Sequence, residues 1–291
     1  FIVTPVFNRK DFTYNFLKSL KEQTLTDFKT IIVDDGSTDG TAEMIIKDFP
    51  NVILLRHEGG LWWSKATNLG VKHAITLGAK HIITINDDTI LDPNLLKDLF
   101  NYSVKHPNCL LMPVGLHYET EFLIDGGWDI NWKTAKYKNT LESVNFSTKF
   151  SSHLVNVAPA RCLLIPSKVF KTIGYFDSYN FPQAVADFDF TSRASSRGFS
   201  ILVCHDAKIK IFPLESGSID LIIKKSIKNY YLHLFGIKGL GNIKSFIIFS
   251  LKNAPKRYLF TFLIFGIIRR LINYFTIKPK ERGNISTIKS S

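Results

Sequence analysis

Over the first hundred residues, uninterrupted apolar runs alternate with stretches of helical periodicity, and this alternation narrows the possible fold more than any other feature of the 291-residue chain. "FIVTPV", "FKTIIVDD", "NVILL" and "HIITIN" read as four strands. Between the first two, residues 11–23 place Phe12, Phe16, Leu17 and Leu20 on one helical face, and residues 41–49 and 64–77 keep a helical period, the latter stopped by Gly78. A fourth helix is expected over 93–104, with Asp92 as N-cap and Pro93 in its first turn. Strands that are apolar on both faces, each followed by a helix, predict an α/β fold whose parallel sheet is covered on both sides. In such sheets ligands sit outside the carboxyl ends of the strands.

The polar clusters fall at those ends. The first strand runs into "TPVFN", the second into "VDDGSTDGT" and the fourth into "NDDT". Adjacent acids at a strand end, Asp87 and Asp88, suggest oxygen ligands for a hard divalent cation, Mg²⁺ or Mn²⁺, which typically takes one or two carboxylates plus substrate phosphates. Acids in this position also cap turns. A second acid-rich turn, with Asp34 and Asp35, at a neighbouring strand end favours the cation.

From about residue 110 to 150 the alternation lapses into Gly, Trp and polar residues, which reads as a sheet extension with long loops. "HLVNVAPARCLLIP" reads as two short strands or a hairpin. A short helix over 167–173 ends at Gly174, and the loop "YFDSYNFPQAV" leads to a helix over 186–197 ended by Gly198. "FSILVC" and "AKIKIF" are expected to close the domain as a strand pair. There are no internal repeats.

Net charge is informative once located. Residues 1–220 carry 23 Lys and Arg against 24 Asp and Glu, whereas residues 221–291 carry 14 against 1. The basic tail also holds "YLFTFLIFGII", flanked by Lys256 and Arg257 before it and by Arg269 and Arg270 after it. Eleven apolar residues fall short of the roughly 20 that span a bilayer. A helix lying in the interface suits the run better, with basic groups on anionic headgroups, and a core helix with basic flanks is the alternative. Nucleic acid is not an expected partner, because no zinc-finger, helix-turn-helix or RNA-recognition signature accompanies the charge. Cys109, Cys162 and Cys204 sit among apolar neighbours and read as reduced cytosolic thiols. The strand-like opening has neither Met nor a visible leader, so the first native residues are expected to lie upstream.

Three motifs in order carry a resemblance. "VTPVFNRKDFTYNFLKSLKEQTLTDFKTIIVDDGSTDGT" resembles the opening of family 2 glycosyltransferases; "NDDT" resembles their D-x-D motif in an Asn-containing form; "ADFDFTSRASSRGF" resembles their E-D-x-D helix. The likeness covers about residues 1–218. It implies a GT-A fold: a Rossmann-like, mostly parallel central sheet with helices on both faces, with a nucleotide-sugar-binding half over 1–106 and an acceptor-binding half over 107–218. Residues 219–291 are then a basic amphipathic helical tail. By the same resemblance, Thr4, Pro5 and Phe7 would line the base, and Asp34 or Asp35 would contact uracil or ribose. Asn86 and Asp87 would lie by the ribose and diphosphate, with Asp88 holding the cation. Lys65 would lie near phosphate and Asn68 near the nucleotide sugar.

Transfer from a sugar diphosphate needs neutralisation of charge on the leaving phosphates and a base for the acceptor hydroxyl. Asp187 has the family's base position, and with Ala186 beside it no neighbouring acid raises its pKa, so it is expected to be ionised at neutral pH. Asp189 is expected to be structural, paired with Arg193 one turn on. Two departures stand out: Ala186 replaces an acid, and Ile211 falls where several members carry a metal-binding His. The resulting expectation is an inverting transferase using a nucleotide-diphosphate sugar, UDP- or dTDP-linked, and a lipid-linked or surface-glycan acceptor, peripheral at the cytoplasmic face of an anionic membrane. An inactive nucleotide-sugar-binding relative is the alternative, and assays of hydrolysis or transfer with several sugar nucleotides separate the two. Oxidoreductase and nucleotidyltransferase readings lack their Gly-rich openings.

Overall fold

A computed structural model describes residues 1–142, 151–212 and 225–276. Strands β1 (Ile2–Val6), β2 (Thr30–Asp34), β3 (Ile53–Arg56) and β4 (His81–Ile85) are parallel and lie in the order β4-β1-β2-β3. Helices α1 (Lys10–Lys21), α2 (Thr41–Asp48) and α3 (Trp62–Thr76) connect them. Because side chains alternate along a strand, Val3, Ile31 and Val33 pack with Ala66, Val71 and Ala74 of α3, while Ile2, Ile32 and Ile83 pack with Phe16, Leu17 and Leu20 of α1. Both faces of the sheet are covered, as continuous apolar strands require. The chain leaves β1 towards β2 on one side and returns to β4 on the other, which opens a crevice at their carboxyl ends.

The same sheet continues through the second half. Its strands are β5 (Thr89–Leu91), β6 (Cys109–His117), β7 (Leu123–Asp125), β10 (Ser152–Val155), β11 (Cys162–Pro166) and β12 (Ser200–Ile211). A separate hairpin is formed by β8 (Trp128–Asn131) and β9 (Lys136–Asn139). β11 is antiparallel to β4 and β6, and β12 is parallel to β6, so six long strands share one direction. Helix α4 (Leu95–Lys105) packs against β6 and β12, and α5 (Ser167–Ile173) and α6 (Ala186–Ser196) lie on the α3 side.

Several local expectations are corrected. β12 is one strand, not a pair, because a register shift between Cys204 and Lys208 absorbs the irregularity that reads as a turn. Of the two alternatives for "HLVNVAPARCLLIP", two short strands holds and the hairpin does not: β10 and β11 each have other partners in the sheet. The short β5 follows β4 and pairs with β12, and α4 starts at Leu95 because the Asp92 carboxylate accepts the Asn94 N–H in a turn before the helix.

The chain ends in helices α7 (Ile227–Phe235), α8 (Ile243–Asn253) and α9 (Leu259–Thr276). The expected boundary after residue 218 lies outside the described residues. Phe246, Phe249 and Phe262 join the core beside α6, and Trp132 stacks on Phe249 at a ring distance of 5.9 Å and meets Phe262 at a tilt at 4.9 Å. Gly266 is required there: a Cβ would come within 1.9 Å of the Phe246 ring. Helix α9 thus buries a stripe through Phe262, Gly266 and Tyr274 and turns Phe260, Ile264, Phe265, Ile268, Ile272 and Phe275 outward. The eleven-residue apolar run understates this helix, since Arg269 and Arg270 lie inside it. Lys256–Thr276, with mean hydropathy 1.4, is long and apolar enough to cross a membrane.

Candidate functional site

Three strand ends meet at the crevice. After β1, the Asn8 N–H donates to Ser37 Oγ and Asn8 Oδ1 accepts the Thr38 N–H, both at 2.8 Å, which ties the turn after β2 to the end of β1. Asp34 Oδ1 accepts the Ser37 N–H at 2.9 Å, and its buried Oδ2 has no hydrogen-bond partner among the described residues. Asp35 accepts the N–H groups of Leu61 and Trp62 at 2.9–3.0 Å, so it seats the start of α3. Gly36 makes the turn with φ +85°, and a Cβ there would meet the Glu58 backbone at 2.9 Å. Thr4 is buried, Pro5 half-buried, and Phe7 is 55% exposed beside this turn.

At the end of β4 each residue has a different environment. Asn86 Oδ1 accepts from the Trp63 indole at 2.9 Å, and its N–H donates to the Arg161 carbonyl at 3.0 Å. Asp87 has both oxygens engaged, by Arg9 Nε at 2.8 Å and Thr13 Oγ1 at 3.0 Å. Burial raises the Asp87 pKa to about 6, with Arg9 opposing and Asp88 adding to the rise. Asp88 Oδ2 is 3.9 Å from Arg9 Nη2, and its buried Oδ1 has no hydrogen-bond partner among the described residues.

That orphaned oxygen is the feature a divalent cation would satisfy. Among the described residues no three His, Cys, Asp or Glu side chains form a cation cluster, so the fit is to one carboxylate plus oxygens brought by a substrate. Ile211 does not serve: it is buried in the core opposite Thr89. His205 is committed elsewhere, hydrogen-bonded to His153 at 2.8 Å and to Ser151.

Asp187 lies in the first turn of α6, whose N-cap Val185 has φ 71°. Its Oδ1 accepts the Phe188 N–H at 2.9 Å and its Oδ2 the Ala160 N–H at 3.4 Å. Burial raises its pKa, against the opposing pull of the Phe188 and Ala160 amides and the nearby Arg161. The expectation of an unraised Asp187 is corrected: no acid neighbours it, but desolvation alone disfavours the charge. Residues Ala160 and Arg161 join the two ends of the site, one amide on Asp187 and the next carbonyl on the Asn86 N–H. Asp189 is fully buried and bonded to Arg193 Nε at 2.8 Å, with Lys252 Nζ and Asn253 Nδ2 each at 3.0 Å.

The remaining expected residues divide. Lys65 is exposed on α3, whereas the Asn68 amide is spent on the Phe176 backbone, donating at 2.8 Å and accepting at 3.0 Å. With Gln183 accepting the Trp63 N–H and Pro182 the Ser64 N–H, this pairing staples the loop before α6 to the start of α3. Arg9, Thr13, Arg161 and Gln183 are site neighbours that sequence reasoning missed. Only the pattern "NRKDFT" after the first strand hints at Arg9 and Thr13, since it puts them in the first turn of a helix at the crevice.

Comparison with known proteins gives this geometry a lineage. The sequence model described as Glycosyl transferase family 2 matches residues 1–153. An uncharacterized glycosyltransferase of Methanocaldococcus jannaschii is 25% identical over 238 residues, 79% of this chain and 76% of that protein. Another, from Rickettsia conorii, is 36% identical over 75 residues, and the match spans 25% of this chain but only 12% of that longer protein. Among solved structures, S. aureus TarS 1-349 in complex with UDP superposes with a TM-score of 0.60 at 17% identity, covering 94% of this chain and 71% of that one. GalNAc-T7 with UDP, GalNAc and Mn²⁺ superposes with a TM-score of 0.61 at 14% identity, over 72% of this chain and 43% of that one. The fold is GT-A, and the chain belongs to glycosyl transferase family 2.

Proposed function

We propose that this protein transfers a sugar from a nucleoside-diphosphate sugar, UDP- or dTDP-linked, to a hydroxyl of a lipid-linked or surface-glycan acceptor, with inversion at the anomeric carbon. The observation that carries the reading is the Ala160–Arg161 bridge, which holds Asp187 and the Asn86–Asp88 turn to one two-residue segment. A base for the acceptor and an anionic turn for the donor's diphosphate then face one reaction centre. UDP in two of the fold's solved neighbours supports a uridine donor.

Asp187 takes the proton as the acceptor oxygen bonds to the anomeric carbon, and the bond to the nucleoside diphosphate breaks on the opposite face. Asp34 and Asp35, with Thr4, Pro5 and Phe7, form the base end; Asn86 and Asp87 flank the ribose and diphosphate; Lys65 serves phosphate. The Asn68 role is one of support, since its amide holds the Phe176 loop in place. Asp88 would hold a divalent cation, Mg²⁺ or Mn²⁺, which when bound neutralises charge on the leaving diphosphate. GalNAc-T7 with Mn²⁺ supports that choice on this fold. The outward apolar row of α9 among basic residues supports peripheral contact with an anionic membrane, at the inner face of the cell membrane.

The test is turnover of a panel of UDP-, dTDP-, GDP- and CMP-sugars with Mn²⁺, followed by NMR of the product anomer. Cleavage of a UDP- or dTDP-sugar with inversion is expected. Retention of configuration would refute the base assignment, and no cleavage or binding of any donor would refute the reading.

A further inference from the structure

Arg9 is more exposed than either acid it approaches, 25% against 5% for Asp87 and 8% for Asp88. Its Nε donates to Asp87 at 2.8 Å while Nη2 lies 3.9 Å from Asp88. The guanidinium stands 4.6 Å from the Phe12 ring centre, and Phe12 meets Phe212 edge-on at 5.5 Å. The Phe212 N–H in turn donates to the Asp88 carbonyl at 3.3 Å. Arg9 and Phe12 belong to the start of α1, and Phe212 follows β12, so two separate elements enclose the acidic turn. Thr13, also on α1, holds the second oxygen of Asp87.

Two consequences follow for a divalent cation. Each Asp87 oxygen already accepts a hydrogen bond, whereas Asp88 Oδ1 accepts none and is closed from water, which favours Asp88 as the carboxylate for the site. A cation that reaches it meets a fixed positive charge within 4 Å of the same carboxylate. With Ile211 turned into the core, β12 offers no imidazole to raise the affinity.

A diphosphate changes both conditions. It offers the planar fork of Arg9 a bidentate anionic partner in place of Asp88, and it supplies the additional oxygens that a one-carboxylate cation site lacks. We propose that Arg9 gates cation loading: it covers the acidic turn in the nucleotide-free protein and shifts its guanidinium to the diphosphate when nucleotide enters, so that cation and nucleotide are held together and the cation is bound poorly alone. This deepens the transferase reading and rests on it.

The experiment is calorimetric titration of the full chain with Mn²⁺, alone and with saturating UDP, and with UDP in EDTA. In the unmodified protein, Mn²⁺ alone is expected to bind at least about tenfold more weakly than with UDP. Arg9→Gln is expected to tighten nucleotide-free Mn²⁺ by about tenfold, by removing the competing charge, and to weaken UDP in EDTA. Arg9→Lys keeps the charge without the fork, so nucleotide-free Mn²⁺ binding is expected to be unchanged while UDP in EDTA still weakens. Melting curves report whether each variant is folded, and if Arg9→Gln is not, the Arg9→Lys protein decides: UDP binding in EDTA as tight as in the unmodified protein overturns the gate. Equal Mn²⁺ affinity with and without UDP overturns the gate, as does an Arg9→Gln protein that is folded and binds Mn²⁺ no better. UDP binding with no Mn²⁺ binding in either state also overturns the gate but leaves the nucleotide site standing, whereas failure to bind UDP at all removes the site and the gate together.

Discussion

Asp187 and Asp189 sit two residues apart on α6, and replacing each with Asn is expected to give opposite phenotypes. Asp189 is 0% exposed and bonded to Arg193, Lys252 and Asn253, while Arg193 also donates to the carbonyls of Ile173 and Tyr175. Asp189→Asn keeps the shape but leaves Arg193 without its anion, while Lys252 keeps Asp177 at 2.6 Å. Removing one partner of a buried pair costs about 3–5 kcal/mol. Arg193 and Lys252 retain 21% and 30% side-chain exposure, which places the cost near the low end, about 3 kcal/mol. Asp187 is the reverse case. Its pKa is raised in the fold by burial, so the ionised form is held less well folded than unfolded, and stability falls as pH rises through its unfolded and then its folded pKa. Asp187→Asn removes that penalty at pH 7–8 but sets its NH2 against the long Ala160 N–H contact, so its stability should stay close to that of the unmodified protein. Turnover should drop about 10²- to 10⁴-fold, which is about 2.7–5.4 kcal/mol on the barrier. Urea denaturation and initial transfer rates, measured on both variants with saturating donor, decide the matter. Exchanged phenotypes would move the base to Asp189, and transfer undiminished in both would remove the base from α6.

Asp88→Asn is expected to weaken nucleotide-sugar binding in Mn²⁺ and to change it little in EDTA, as read by calorimetry; full turnover of the unmodified protein in EDTA would refute a cation requirement. A base with a burial-raised pKa must lose its proton to act, so kcat should fall as pH drops through a value above the ordinary 3.8 of an aspartate; a limb at or below 3.8 would contradict the burial. Glu at Phe260, Ile264 and Ile268 together should cut binding to anionic vesicles by more than about 100-fold, since burying each apolar side chain is worth about 1.5–3 kcal/mol, with the melting temperature little changed. Unaltered co-sedimentation would refute membrane contact through α9. Truncation at residue 251 is a poorer test, because it removes Lys252, Asn253 and Phe262 from the buried set around α6.

How much of this was legible depended on whether the signal was local. The first four strands follow from apolar runs that leave no other place for their side chains, and the acidic turns follow from where those runs stop. The Asp189–Arg193 pair is a one-turn spacing on a helix and was legible for that reason. What was not legible involves partners far apart in sequence: Arg9 reaches Asp87 across 78 positions, Asn68 reaches Phe176 across 108, and Trp63 reaches Gln183 across 120. Asp187 shows the limit most plainly. Its neighbours in sequence give no reason for a raised pKa; the shift comes from burial, a property of the assembled site.

The tail and the candidate base are nearer to each other than their separation in sequence implies. Phe188, next to Asp187, stacks on Tyr137 of the β8–β9 hairpin at 6.0 Å. Arg270 on α9 lies close enough to the Tyr137 hydroxyl to oppose the rise that burial gives its pKa, and Arg269 donates to the Thr134 carbonyl at 3.1 Å at the turn of the same hairpin. Arg270 also lies over the Phe246 ring at 3.5 Å, so both arginines of the apolar helix face the domain. A spanning helix would have to give up these contacts and carry two guanidinium groups into hydrocarbon, at a cost of about 2.5–3.5 kcal/mol each near the helix centre. Lying along the surface, α9 keeps them and presents its apolar row outward. On the proposed reading, an acceptor anchored in the same lipid layer reaches Asp187 past the hairpin that α9 itself holds, which ties the orientation of the membrane face to the side from which the hydroxyl must attack.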